Sequence, residues 1–184
     1  MVVMDGSFAG LFVAWATKDF ARGTIVEADD LAPADEALHK GVPQGCHMHT
    51  LLTAGHELLE HMFPGLTEEI VSHGAVVAAH RTVHHYTGGA LQPPVTGFPS
   101  LCATQNLIEH HVRRRALADE GVGVTRGRVC GLVFEDSRAA GVRYREVSST
   151  AVVRLDADLV VDATGQNGRP GRPSAAAGSS RRRR

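Results

Sequence analysis

Long apolar runs are missing from these 184 residues, and none approaches the roughly 20 positions that a membrane-spanning helix needs. A basic leader with a small-residue cleavage pattern is also missing from the amino terminus. Net charge is nearly absent: 19 Lys plus Arg face 20 Asp plus Glu, giving -1. Four of those cations are Arg181 to Arg184, so the body of the chain is mildly acidic. That balance argues against a protein held to nucleic acid by phosphate neutralisation. Cysteine is scarce. Cys46, Cys102 and Cys130 are odd in number and far apart, which suits reduced thiols better than a disulfide frame or a Cys-x-x-Cys metal site. What is present is enough apolar residue for a packed core, 43% against 21% charged. The expectation is a soluble, cytoplasmic, mostly globular chain.

Periodicity alternates between strand-like and helix-like pieces. Val2-Val3-Met4 is a short apolar run, broken by Asp5-Gly6-Ser7. A helical stretch from Phe8 to about Phe20 follows, with Leu11, Ala14 and Trp15 on one face. Thr24-Ile25-Val26 reads as a second buried strand ending on the acid Glu27, giving the β-α-β order of a parallel sheet. Residues 28 to 46 are loop-like. Residues 49 to 63 show the strongest helical spacing, through Leu51, Leu52, Gly55, Leu58, Leu59, Met62 and Phe63. Thr67 is placed to cap a next helix, which ends near Gly74. Residues 75 to 99 read as strands with long turns, and 105 to 119 as a helix burying Leu107, Ile108, His111 and Val112. Four β segments follow at 122–125, 128–134, 141–146 and 150–155, spaced as an antiparallel meander. Leu159-Val160-Val161 is apolar on both faces, as in a central parallel strand, and ends at Asp162-Ala163-Thr164-Gly165. From Arg169 onward only Pro, Gly, Arg, Ser and Ala occur, and disorder is expected there. No internal repeat is visible.

Three segments could carry chemistry. The first is Asp5-Gly6-Ser7-Phe8-Ala9-Gly10, followed at a distance by Glu27. Glycines between a first strand and helix allow close approach of a pyrophosphate, and an acid closing the second strand accepts from ribose hydroxyls. The G-x-G-x-x-G pattern is damaged here, since Asp5 and Ser7 hold the places of the first two glycines. Asp5 also puts negative charge beside the pyrophosphate position. A plain strand-turn-helix explains this segment equally well. The second is Gly41 to His49, with Val42, Gln44, Cys46, His47 and His49. A metal is one reading of its His-x-His pair; a loop whose polar groups bond locally or line a pocket is the favoured one. No further Cys or His set has zinc-site spacing, so no metal ligand is assigned. The third is the strand closing on Ala-Thr-Gly, which brings bare backbone to a sheet's carboxyl edge.

In this order the three segments resemble FAD-dependent monooxygenases and related oxidoreductases of the para-hydroxybenzoate hydroxylase-like class. The likeness is greatest to a bacterial subgroup with G-G-[SG]-I-A-G-L, then G-V-P-Q-x-x-H-x-H-x-L-L, then A-D-L-V-V-D-A-T-G. It covers roughly residues 2 to 168, and its specific parts are Gly41 to Leu52 and Ala157 to Gly165. The resemblance implies that Gly6, Ser7, Ala9 and Gly10 form the first FAD loop and that Glu27 binds ribose. It sets Gly41, Val42 and Gln44 beside the flavin ring, Val129 against the adenine, and Thr164 and Gly165 over the dinucleotide. Gln105 stands where the family has a cofactor-touching Arg, and Cys46 where the subgroup often has Arg.

The fold expected from this resemblance is α/β: an incomplete three-layer, Rossmann-like FAD-binding domain with a β-meander. It would occupy residues 1 to 168, with a partial substrate domain inserted at about 66 to 103 and a tail from 169 to 184. Such enzymes continue past the Ala-Thr-Gly motif to a later Gly-Asp motif that this chain lacks, so a truncated or frame-shifted reading frame is expected. The activity implied is that of an NAD(P)H-dependent flavin monooxygenase on a small organic substrate. The alternative is a non-catalytic fragment or pseudoenzyme. No side chain is assigned as catalytic.

Overall fold

The computed structural model describes residues 1–31, 47–78, 84, 86–93 and 99–165. In chain order the elements are β1 (Val2–Met4), α1 (Phe8–Thr17), β2 (Gly23–Glu27), β3 (Met48–Leu51), α2 (Thr53–Met62) and α3 (Leu66–Ser72). They continue with β4 (Val76–Ala78), β5 (Tyr86–Thr87), β6 (Ala90–Leu91), β7 (Ser100–Thr104) and α4 (Gln105–Leu117). The last are β8 (Val122–Glu135), β9 (Arg138–Glu146), β10 (Val152–Asp156) and β11 (Val160–Asp162). Contacts divide the chain into two compact units at about residues 32 and 115.

The first unit is a six-stranded sheet in the order β10-β9-β8-β2-β1-β11. Val2, Val3 and Met4 are all buried, which is why β1 is apolar at every position rather than alternating. It pairs in parallel with β2 (Val3 opposite Ile25) and with β11 (Val3 opposite Val161). The three strands anticipated as parallel neighbours are therefore neighbours, although β11 lies at an edge and Leu159 is half exposed. One face receives α1 through the buried Leu11 and Ala14. On the other, Val2, Met4 and Val26 form a cluster with Val142 and Tyr144 of the meander. The sheet thus curls, its meander half lying against the face opposite α1.

The sequence reading divides the meander region into four segments, but the first two are one strand. Residues 122–126 of β8 run parallel to β2, and from Gly127 the same strand runs antiparallel to β9. Gly127 marks the change of partner because a Cβ there would overlap the Tyr144 ring and lie 2.9 Å from the carbonyl oxygen of Arg145. Asp136 and Ser137, both at positive φ, turn β8 into β9, as two-residue hairpins require.

In the second unit β3, β7 and β4 form an antiparallel sheet in the order β3-β7-β4, and β5 pairs with β6. Two sequence expectations change here. The helix expected from His49 begins at Thr53, because Met48–Leu51 extends along Leu101–Thr104 of β7. Of its spaced apolar residues, Leu59 and Phe63 are buried while Leu52 and Leu58 are exposed, so spacing alone overstated the buried stripe. Nor does Thr67 cap α3. Gly65 is the capping residue in a left-handed conformation, and the Glu60 carboxylate accepts from the Gly65 and Thr67 N–H groups. α1 ends at Thr17 rather than Phe20, and α4 at Leu117 rather than Asp119. Residues 166–184, which include the stretch from Arg169 where disorder is expected, lie outside the described residues.

Candidate functional site

The carboxyl ends of β11, β1 and β2 lie side by side, and the loops that leave them meet there. Asp5 follows β1 with φ of 85°, a left-handed conformation that glycine adopts more readily. Its N–H donates to the carbonyl of Val26 (3.0 Å), and the Ala163 N–H donates to the carbonyl of Met4 (3.1 Å). The turn Asp5–Gly10 is thus hydrogen-bonded to β2 and lies beside Ala163–Gly165. Gly10, in the first turn of α1, permits this approach: a Cβ there would overlap the carbonyl oxygen of Asp5. Ser7 is the N-cap of α1, but its side chain makes no capping bond. Ala9 is exposed on the first turn.

Glu27 ends β2 and is buried, 6% exposed. Its Oε2 accepts from the Gly6 N–H and its Oε1 from the Asp29 N–H, each at 2.8 Å. The carboxylate is therefore clamped from both sides by backbone. The Asp5 carboxylate accepts the Ser7 N–H at 2.8 Å, occupying a donor that points to the anion position of such a turn. Asp29, Asp30 and Asp162 add negative charge along the same edge, where Arg126 pairs with Asp30 at 3.2 Å. Across the turn, Thr164 donates both its N–H and its hydroxyl to Asp162, and Gly165 takes φ of 64°.

Val129 lies in β8, three residues past the end of its pairing with β2, and packs against the Val2–Met4–Val26 cluster. The first unit thus brings together Gly6, Ser7, Ala9, Gly10, Glu27, Thr164 and Gly165. Gln105 belongs to the second unit as the first residue of α4, its N–H donating to the carbonyl of His47 at 3.3 Å. Gly41, Val42, Gln44 and Cys46 lie outside the described residues. His47 is exposed; His49 is half-buried, on β3 opposite Ala103. Among the described residues no group of three His, Cys, Asp or Glu side chains is arranged to hold a metal ion.

Sequence reasoning missed the two Asx-type turns, Asp5 to Ser7 and Asp162 to Thr164. The signal was available, since a short acid two residues before a free N–H is a known turn former. It also missed the Asp29 N–H as the second clamp on Glu27.

No family model matches the sequence. It is 33% identical over 183 residues to Protein Rv3254 of Mycobacterium tuberculosis (strain ATCC 25618 / H37Rv), covering 91% of this chain and 38% of that protein. Among solved structures, the myxobacterial chondrochloren halogenase CndH, described as an FAD-dependent halogenase, matches with a TM-score of 0.61 at 22% identity, over 91% of this chain and 37% of that one. PqsL, a probable FAD-dependent monooxygenase from Pseudomonas aeruginosa, matches with a TM-score of 0.60 at 17% identity, over 83% and 39%. The chain spans less than two-fifths of the length of each of these proteins. It has the Rossmann-like α/β fold that forms part of CndH and PqsL.

Proposed function

We propose that this chain is the FAD-binding part of a flavin-dependent oxidoreductase, a monooxygenase that takes electrons from NAD(P)H and acts on a small organic substrate. The observation that carries the reading is the meeting of Gly6–Gly10, the clamped Glu27 and Thr164–Gly165 at one carboxyl edge of three parallel strands. Ligands bind at that edge in doubly wound folds. Glu27, held at the carboxyl end of β2 by the Gly6 and Asp29 N–H groups, would accept from ribose hydroxyls, the Val129 backbone would meet the adenine, and Thr164 and Gly165 would lie over the dinucleotide. Gly41, Val42 and Gln44 would run beside the flavin, and Gln105 would touch the cofactor. When bound, FAD supplies hydride acceptance and oxygen activation; the protein orients it and excludes water.

The residues fit the adenosine end better than the pyrophosphate. Asp5 takes the Ser7 N–H for itself and sets a carboxylate where phosphate charge would lie. That observation favours a second reading, a non-catalytic member of this fold in which FAD binding is weak. Flavin fluorescence on adding FAD to the purified chain, followed by NAD(P)H oxidation, separates the two. Weak binding with no turnover is expected of the chain alone. A yellow protein that consumes NAD(P)H and forms hydroxylated product would establish that residues 1–184 are sufficient for the activity.

A further inference from the structure

On α4, Glu109 and Arg113 stand one turn apart and form an ion pair, Arg113 Nη2 donating to Glu109 Oε1 at 3.0 Å. Both side chains are withdrawn from solvent, with 1% and 7% exposure. The contact uses one arm of each group. Oε2 of Glu109 and Nε of Arg113 are buried and have no hydrogen-bond partner among the described residues. A carboxylate and a guanidinium ordinarily close as a fork with two parallel bonds, which would join these two atoms. Here the fork is open on its second side. A buried donor and a buried acceptor left unmade are each costly in a protein interior, and native structures rarely leave them so.

We propose that this open side is a binding site for one hydroxyl group, which donates to Glu109 Oε2 and accepts from Arg113 Nε–H. The chemistry selects this class. An anion would face the Glu109 carboxylate and a metal ion the Arg113 guanidinium, so neither is favoured. A carbonyl offers only acceptors and an ammonium only donors. A hydroxyl alone places donor and acceptor on a single atom, and its source is either one water molecule or the alcohol of a small polyol. The contrast with His111 on the same helix is informative. Its Nδ1 is paired with Glu69 and its Nε2 is buried with no partner among the described residues, a lone acceptor that specifies nothing about a second bond. The inference rests on α4 alone and is independent of the flavin reading.

The test is nuclear magnetic resonance on the full chain labelled with 13C and 15N, with the Arg113 Nε–H resonance assigned through its own side-chain carbons so that no variant is needed. A cross-peak from this proton to water, carrying the sign of a bound molecule, is expected. Ribitol is then titrated to millimolar concentration. Persistence of the water cross-peak identifies water as the hydroxyl; its replacement by cross-peaks to ribitol protons identifies an alcohol, and either result supports the site. An Nε–H that shows neither, or that couples through a hydrogen bond to the Glu109 carboxylate, would show a dry or closed fork and overturn the proposal.

Discussion

The backbone N–H of Gly6 donates to Oε2 of Glu27 across 2.8 Å, joining the turn after β1 to the end of β2. With the Asp29 N–H on the other oxygen, one buried side chain satisfies two backbone donors. Replacing Glu27 by Ala strands the Gly6 N–H in the interior, whereas Asp29 is near enough to solvent to be rehydrated. The expected cost is about 2 kcal/mol, the range for one unsatisfied buried donor. Urea unfolding should show a lower midpoint with an unchanged slope, and Glu27→Gln, which keeps one acceptor, should lose less.

Asp5→Gly should act on binding more than on folding. The substitution relieves a left-handed backbone worth about 1 kcal/mol, offset in part by the extra freedom glycine has when unfolded. It also releases the Ser7 N–H and removes one negative charge from the turn. FAD affinity should rise about tenfold or more, since like charges about 4 Å apart repel by about 1 to 4 kcal/mol between fully aqueous and surface conditions. A fluorescence titration at two salt concentrations checks this. Equal affinity in the two proteins would show that the turn does not meet the pyrophosphate.

Gly10→Ala should be among the most damaging single substitutions in the first unit. Its Cβ would overlap the Asp5 carbonyl, which is backbone and cannot swing away. Overpacking of this kind costs about 3 kcal/mol or more. Loss of soluble protein or a large fall in the thermal midpoint is expected, while Ala9→Gly on the exposed neighbouring position should cost about 1 kcal/mol.

Acid should loosen the contact between α3 and α4. Burial opposes ionisation of Glu69, but bonds from His111, Arg115 and Arg114 outweigh it and hold the carboxyl down at about 2. Burial also lowers His111 below its ordinary value of 6.5, against the pull of Glu69, so a neutral imidazole donates Nδ1–H to the carboxylate. The His73 ring stands 4.7 Å and the His110 ring 5.2 Å from that of His111, and protonating His111 would add a cation beside Arg114 and Arg115. Both shifts are depressions. The unfolded chain binds more protons below each ordinary value, and stability is lost as pH falls. The loss should begin near 6.5 through His111 and continue between about 4.5 and 2 through Glu69. Urea midpoints from pH 8 to pH 3 should fall, and Glu69→Gln should be less stable at pH 7 with a flatter profile.

The β-α-β start, the meander and the Ala-Thr-Gly edge were legible in the sequence because each depends on local order. An apolar triplet, a glycine-containing turn and an acid at a strand end keep their meaning whatever surrounds them. The sequence also carried the parallel relation of residues 2–4, 24–27 and 159–162, since a right-handed crossover leaves few alternatives. Tertiary structure decided the rest. Met48–Leu51 became a strand because β7, fifty residues on, offers it a ladder, and helical spacing cannot register so distant a partner. Residues 122–135 became one strand because both β2 and β9 are present to pair with its two halves. Thr67 lost the capping role to Gly65 and the Glu60 carboxylate because α2 delivers that carboxylate across a turn. Glu109 and Arg113 are four residues apart on α4, the ordinary spacing of a helical ion pair. Only the folded structure reveals that each keeps a buried atom with no partner among the described residues, because solvent access belongs to the folded surface and not to the order of residues.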